Sequence, residues 1–84
     1  MSKIVVSSPD APAALGPYSA GIKTGEMVFL SGQLGLDPQT GKLAEGGVVA
    51  QAQQSLKNIE ALLAAAGATF DNVVKTTVFL ADIA

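Results

Sequence analysis

The stretch "VVAQAQQSLKNIEALLAAAG", residues 48–67, decides the fold of this 84-residue chain. Apolar residues recur in it at spacings of three and four, which predicts an amphipathic helix over residues 47–66. Gly67 follows the last periodic residue and suits the left-handed position that ends a helix. The start is weakly marked, because Gly46 and Gly47 carry no capping side chain. The apolar stripe predicted to face the core consists of Val49, Ala52, Leu56, Ile59, Leu63 and Ala66.

The segment after the helix, "NVVKTTVFLAD" (72–82), alternates in the manner of a β-strand. One face, with Val74, Thr76, Val78 and Leu80, is predicted to cover the helix stripe. The opposite face, which includes Lys75, mixes polar and apolar residues. Contact with another subunit and partial exposure to solvent both explain a face of that kind.

Shorter elements precede the helix. "KIVVSS" (3–8) predicts a strand, and residues 18–24 and 27–31 predict a β-hairpin around Thr24-Gly25-Glu26. "PDAPAALGP" (9–17) predicts a loop, and "DPQTG" (37–41) predicts a turn. The order strand, hairpin, helix, strand indicates a single α+β domain over residues 1–84, with the helix packed on one face of the sheet.

The amino-acid composition excludes more classes of function than the hydrophobic pattern does. The chain has no His, Cys, Trp or Arg and a net charge of −2. Ser-His and Cys-His nucleophilic systems and the usual zinc sites are therefore excluded within this sequence. The absence of a basic run gives nucleic-acid binding no electrostatic support. Neither a membrane-spanning run nor a signal peptide is recognisable, so a cytoplasmic location is predicted. The low charged fraction, 14%, favours an oligomer.

Few side chains offer chemistry. Tyr18 is the single tyrosine, and half-buried packing and a site role are equally good explanations of it. Ser31-Gly32-Gln33 follows a predicted strand, where glycine lets a ligand approach the backbone, although a plain turn explains the spacing better. Lys75 is read first as a solvated lysine. The remaining candidates, read as turn formers and caps, are Asp10, Asp37, Asp71 and Asp82.

Three segments together resemble the RidA family, also called YjgF/YER057c/UK114. They are "APAALGPYSAG" (11–21), "FLSGQLGLDPQTGKL" (29–43) and "AQAQQSLKNIEALLAAAGATFDNVVKTTVFLADI" (50–83), in the family's order and spacing. The resemblance implies a chorismate-mutase-like mixed sheet, with the helix on one face, and a homotrimer with a site in each cleft between subunits. It also implies hydrolysis of reactive 2-imino acids or enamines, such as 2-iminobutanoate and 2-iminopropanoate, to 2-oxo acids and ammonia, with no metal or organic cofactor.

By the same resemblance, Tyr18 in "GPYS" matches the family's site tyrosine, and it is our candidate catalytic and substrate-binding residue. Gly32, with Ser31 beside it, matches the backbone position near the substrate carboxylate. Ala20 departs from the family pattern, in which glutamine is common. The family's carboxylate-binding arginine and a late glutamate that positions water lie in later segments with no counterpart here. We therefore expect this sequence to be a C-terminally truncated copy of the domain, inactive by itself.

Two other functions stay open at this point. A non-catalytic trimeric binding or chaperone-like module agrees with the low charge and the missing arginine. Ribonuclease activity, attached to some family members, is disfavoured by the net charge of −2 and the absence of arginine.

Overall fold

A computed structural model describes residues 3–14, 16 and 18–80 of the chain. Three short strands, β1 (Lys3–Val6), β2 (Gly21–Thr24) and β3 (Met27–Leu30), precede one long helix, α1 (Gly47–Ala65). A single 3-10 turn, Phe70–Asn72, follows the helix. The predicted first strand, hairpin and main helix are therefore confirmed, each to within a few residues.

The strands form an antiparallel sheet in the order β1-β2-β3. The part of the sheet that the structure describes is therefore antiparallel rather than mixed. Thr24 pairs with Met27, so the hairpin loop is the two residues Gly25 and Glu26. Gly25 has φ 57°, which a two-residue hairpin loop with glycine in first place requires. The "DPQTG" turn also forms, since Gly41 N donates to Asp37 O at 2.8 Å.

The two faces of the sheet differ in what covers them. Paired residues share a face, so Val6, Gly21 and Leu30 lie on the side that packs against α1. The core there is small: Val6, Ala11, Ala20, Leu62 and Ala66 are buried, with Val28, Leu30 and Ala61 packed around them. The opposite side of the sheet, the outer face, carries Val5, Ile22, Met27 and Phe29, and within the described chain none of these four is buried.

The end of α1 is well defined. Ala68 N donates to Leu63 O at 2.8 Å and Gly67 N donates to Ala64 O at 3.0 Å, which is the Schellman arrangement. Gly67 has φ 82°, as predicted. Lys23 Nζ reaches from β2 to donate to Ala66 O at 3.2 Å, so the sheet also caps the helix. Gly46 provides no side-chain cap at the start, which agrees with the weak start in the sequence.

The predicted apolar stripe of α1 is wrong in its first half. Val49 and Leu56 are 66% and 55% exposed, and Ala52 is exposed too. Ile59 is half-buried, and Leu63 and Ala66 are buried as predicted. The first half of the helix instead presents polar side chains to a neighbouring segment of backbone, and a count of apolar residues cannot register that contact.

The predicted strand over residues 72–81 does not form in the part that the structure describes. Residues 73–80 have no regular secondary structure and are exposed, Lys75 among them, and residue 81 lies outside the described residues. A strand requires a partner for its backbone N–H and C=O groups. None of β1, β2 and β3 pairs with this segment. The prediction that α1 packs on it is therefore wrong for this chain.

Over residues 3–14, 16 and 18–80, no helix combines the length and the apolar character needed to cross a membrane.

Candidate functional site

Tyr18 belongs to the long loop between β1 and β2. Its N–H donates to Gly16 O at 2.8 Å, and its side chain is 51% exposed. The residue borders a hollow of about 60 Å³. It also borders a wider, solvent-open depression of about 530 Å³ that continues toward Ser7 and Pro38. Tyr18 therefore stands at an accessible edge of the molecule and not within its core.

Ser31 ties the end of β3 to the loop that carries Tyr18. Its N–H donates to Ala20 O at 2.9 Å, and its hydroxyl donates to Ser19 O at 2.6 Å. The hydroxyl proton is thus committed to the protein, and Ser31 is not among the residues that border the hollow. The structure gives Ser31 a bridging role beside the site, which leaves its hydroxyl lone pairs to accept from a ligand.

Gly32 shares the small hollow with Tyr18. A Cβ placed on Gly32 would meet no protein atom within 4 Å, so open space lies in front of this backbone. The φ of Gly32 is not positive either. Neither packing nor backbone conformation among the described residues therefore requires glycine at this position.

The remaining wall of the hollow is mostly apolar. Besides Tyr18, Gly32 and the amide-bearing Gln33, it is bordered by Pro12, Ala13, Ala14, Ala20, Leu34 and Leu36. No charged side chain borders it among the residues that the structure describes. Enclosed ligand sites usually occupy about 300–1,000 Å³. At about 60 Å³, this hollow is well below that size.

Two polar residues of α1 support the wall from behind, and sequence reasoning missed both. Ser55 Oγ donates to Gln33 O at 3.1 Å. Asn58 is fully buried, and its Nδ2 donates to Leu34 O at 3.1 Å and to Leu36 O at 2.9 Å. Neither residue lies on the predicted apolar stripe, so the hydrophobic periodicity gave no signal of them.

The predicted aspartates lie at turns where the structure describes them. Asp37 Oδ1 accepts from Gln39 N at 2.8 Å inside the "DPQTG" turn. Asp10 N donates to Ser8 Oγ at 3.1 Å, and Asp71 lies in the 3-10 turn. Their reading as turn formers and caps is confirmed, whereas Asp82 lies outside the described residues.

Comparison with known proteins decides the family. Residues 8–84 match the family model described as Endoribonuclease L-PSP. A 2-iminobutanoate/2-iminopropanoate deaminase of Mus musculus is 54% identical over 79 residues, which are 94% of this chain and 58% of that protein. The chain belongs to the RidA family. The RidA protein of Arabidopsis thaliana, Reactive Intermediate Deaminase A, chloroplastic, is 55% identical over 84 residues, which cover all of this chain and 45% of the plant protein.

Solved structures of RidA proteins have the same fold. A crystal structure of an endoribonuclease L-PSP-type protein from Entamoeba histolytica superposes with a TM-score of 0.93 at 46% identity. That match covers 98% of this chain and 66% of the other. The YjgF gene product of E. coli superposes with a TM-score of 0.79 at 41% identity, over 84% of this chain and 55% of the other. The predicted RidA-like α+β fold is confirmed.

The RidA chain described here is a partial-length copy of the domain in these relatives. It spans about 58% of the mammalian proteins and 45% of the plant protein.

Proposed function

We propose that the intact protein hydrolyses reactive 2-imino acids, such as 2-iminobutanoate and 2-iminopropanoate, to 2-oxo acids and ammonia. Proteins from mouse and human that are 54% and 52% identical to this chain are named as deaminases of these two compounds. The single observation that carries the proposal is the hollow that Tyr18 and Gly32 border together. The RidA resemblance assigns substrate contact to these same two positions.

The hollow suits the chemistry of an imine. Water adds to the C=N carbon to give a carbinolamine, and collapse of this intermediate forms the C=O bond and releases ammonia. An imine is already electrophilic, so the protein has to position water and assist proton transfer, and it needs no activated nucleophile. A phenol can both donate and accept, which lets Tyr18 orient the water or the leaving nitrogen.

The apolar wall suits the short aliphatic side chain of such a substrate. Ala13, Ala14, Leu34 and Leu36 can contact that side chain while open space before Gly32 admits the polar end. The carboxylate still needs a cation, and none borders the hollow among the described residues. We assign that task to a surface outside the described hollow, either a neighbouring subunit or a part of the domain present in the longer relatives.

The same reasoning favours a homotrimer with the site in a cleft between subunits. The outer face of the sheet exposes Val5, Met27 and Phe29 to more than half of their possible area. A second subunit on that face would cover an apolar patch that monomers rarely leave bare. It would also bring a second wall toward the half-exposed Tyr18. A cofactor-free reaction and a cytoplasmic location remain part of the proposal.

The test is Tyr18→Phe in the full-length protein, with imine generated in situ by an amino-acid oxidase. This change removes only the hydroxyl and keeps the ring of a half-exposed side chain, so the variant should remain folded, which a thermal melt checks. Loss of a proton-transfer or water-orienting group should lower kcat/KM by at least ~10-fold. A Tyr18→Phe protein with unchanged kcat/KM would remove Tyr18 from the mechanism.

A non-catalytic binding module is the second candidate, and the uncharged hollow favours it. It makes a different prediction for the unaltered full-length protein. That protein would bind 2-oxobutanoate in a calorimetric titration and yet leave the rate of imine loss at the rate of the solution reaction.

A further inference from the structure

Asn58 is buried deeply for a polar side chain, and it is not part of the hollow. It has 0% exposure, and within the described chain it is the single buried polar or charged residue. A buried amide is costly unless its donors and acceptor are used. All are used here: Nδ2 donates twice, and Oδ1 accepts from Gln54 Nε2 at 2.9 Å. The two carbonyl acceptors fix which end of the amide faces the wall.

The segment held in this way is the wall of the hollow, residues 33–36. β3 ends at Leu30, so the three-stranded sheet does not satisfy these carbonyls, and an isolated β-bridge between Leu36 and Leu43 accounts for only one of them. Ser55 Oγ binds the first, Asn58 Nδ2 binds the second and fourth, and Ala44 N binds the third, Gly35 O, at 2.8 Å. Every carbonyl from Gln33 to Leu36 thus accepts a hydrogen bond, and three of these four bonds come from side chains of α1.

Direct contact reinforces the hydrogen bonds. A Cβ on Gly35 would lie 2.5 Å from Gln51 O and 2.6 Å from Gln51 Cα, so the segment touches the helix backbone itself. The helix therefore contacts the wall at Gln51, Ser55 and Asn58. These residues are spaced four and three apart, so they lie on one face of α1.

From this arrangement we propose that Asn58, assisted by Ser55, is a positioning residue for the substrate site. It fixes the position of the backbone of residues 32–36 relative to α1. It thereby fixes the distances from Gly32, Leu34 and Leu36 to Tyr18. The inference rests on the proposed function for its kinetic consequence, but the claim that Asn58 fixes the wall stands apart from it. An apolar residue of the same size would leave the carbonyls of Leu34 and Leu36 without their donor, and the wall would move to find water.

The test compares Asn58→Leu and Ser55→Ala in the full-length protein with two controls. Leu63→Ala removes buried volume from the same helix without touching the hydrogen bonds to the wall. Ser55→Thr keeps the hydroxyl. We expect Asn58→Leu to raise KM for 2-iminobutanoate ~10-fold, the equivalent of losing about 1.4 kcal/mol of binding. Ser55→Ala should raise it ~3-fold, while Leu63→Ala and Ser55→Thr keep the wild-type KM even where their melting temperature falls.

Hydrogen exchange by mass spectrometry provides a second measurement that is independent of activity. Asn58→Leu and Ser55→Ala should speed exchange in the peptide that spans residues 31–37, and Leu63→Ala should not do so selectively. If Asn58→Leu fails to fold, Ser55→Ala against Ser55→Thr decides the question by the same two readouts.

The outcomes separate the two proposals. Equal KM values for Asn58→Leu and Leu63→Ala, with equal exchange in residues 31–37, would overturn the positioning role while leaving the deaminase proposal intact. If the unaltered protein does not hydrolyse imines, the deaminase proposal fails. In that case selective exchange in residues 31–37 still supports the role of Asn58 in fixing the wall, and unselective exchange overturns it.

Discussion

Two glycines three residues apart, Gly32 and Gly35, do opposite things in this molecule. Space in front of Gly32 is open, whereas a Cβ on Gly35 would collide with backbone atoms of Gln51 at 2.5 and 2.6 Å. Neither residue has a positive φ, so the difference comes from packing and not from backbone conformation. Packing against α1 therefore requires glycine at position 35. Packing does not require it at position 32, where a ligand could be the reason for glycine.

Alanine at each position tests that difference. Gly35→Ala forces helix and wall apart and should destabilise the protein by about 1–3 kcal/mol, the usual cost of overpacking. Gly32→Ala should leave the free energy of unfolding within about 0.5 kcal/mol, because no protein atom lies within 4 Å of the added methyl group. It should lower kcat/KM, because Gly32 borders the hollow proposed to receive the substrate. Urea denaturation and the coupled imine assay measure the two quantities. Equal stabilities for the two variants would contradict this description of Gly35.

The helix shows which features a sequence pattern can predict. Its length and its C-terminal end followed from periodicity and from Gly67, because those signals are local to the helix, whereas its start carried no capping signal. Its orientation was half wrong, because the face that carries Ser55 and Asn58 lies against the backbone of residues 33–36 and binds it. Every residue has a backbone carbonyl that can accept a hydrogen bond. The sequence of residues 33–36 therefore gives no sign that the side chains of α1 bind its carbonyls.

The strand predicted over 72–81 failed for a related reason. Alternating polar and apolar residues indicate a preference for a pleated strand with one face covered. The alternation does not show that another strand is available to pair with it. Among the described residues the segment has no strand beside it, and its apolar side chains are exposed. For the candidate site, the sequence singled out Tyr18, Ser31 and Gly32, since a family resemblance attaches to short motifs. The role of Asn58 in holding residues 34 and 36 is visible only in the three-dimensional contacts, and no motif in the sequence indicates it.

The corrected orientation of α1 changes the expected effect of a charge. Leu62 is fully buried, whereas Leu56 is 55% exposed. Leu62→Asp would bury an unpaired carboxylate and should cost about 4 kcal/mol or more, enough to unfold a small domain. Leu56→Asp should change the free energy of unfolding by about 0.5 kcal/mol or less. Thermal melts followed by circular dichroism distinguish the two, and a Leu56→Asp protein as unstable as Leu62→Asp would restore the original apolar stripe.

At the scale of the whole molecule, the outer face of the sheet is the feature that a monomer leaves unexplained. Phe29 lies on β3 opposite Ile22 of β2, which in turn lies opposite Val5 of β1, and Phe29 is 59% exposed. We predict that Phe29→Lys in the full-length protein converts a trimer to monomers, because it would place three like charges on faces that meet. Leu43→Lys, at a similarly exposed position outside the sheet, should leave the trimer intact. Sedimentation equilibrium gives the mass, and a trimeric Phe29→Lys protein would exclude this face as the interface.

Chain length is the second property of the whole molecule that bears on function. The 84 residues correspond to about 58% of the mammalian relatives, and exposed apolar side chains cluster beyond the helix at Val74, Val78 and Phe79. In a protein of the relatives' length, further chain would be available to cover these residues. Bare apolar surface of this kind promotes association between chains. The proposed substrate site has the same need, since no cation borders its hollow among the residues that the structure describes.

We therefore predict that the 84-residue chain, produced by itself, aggregates or folds poorly and has little imine deaminase activity. A protein carried to the length of its relatives should be soluble and active. A missing charge-assisted contact costs on the order of 2–5 kcal/mol where its partner stays buried. Each ~1.4 kcal/mol is tenfold in rate, so the 84-residue chain should be at least ~30-fold slower. Both proteins would be compared at equal concentration in the coupled assay, with size-exclusion chromatography on each. A soluble 84-residue trimer with full activity would show that Tyr18, Gly32 and the apolar wall suffice without any cation, and the carboxylate anchor would leave the mechanism.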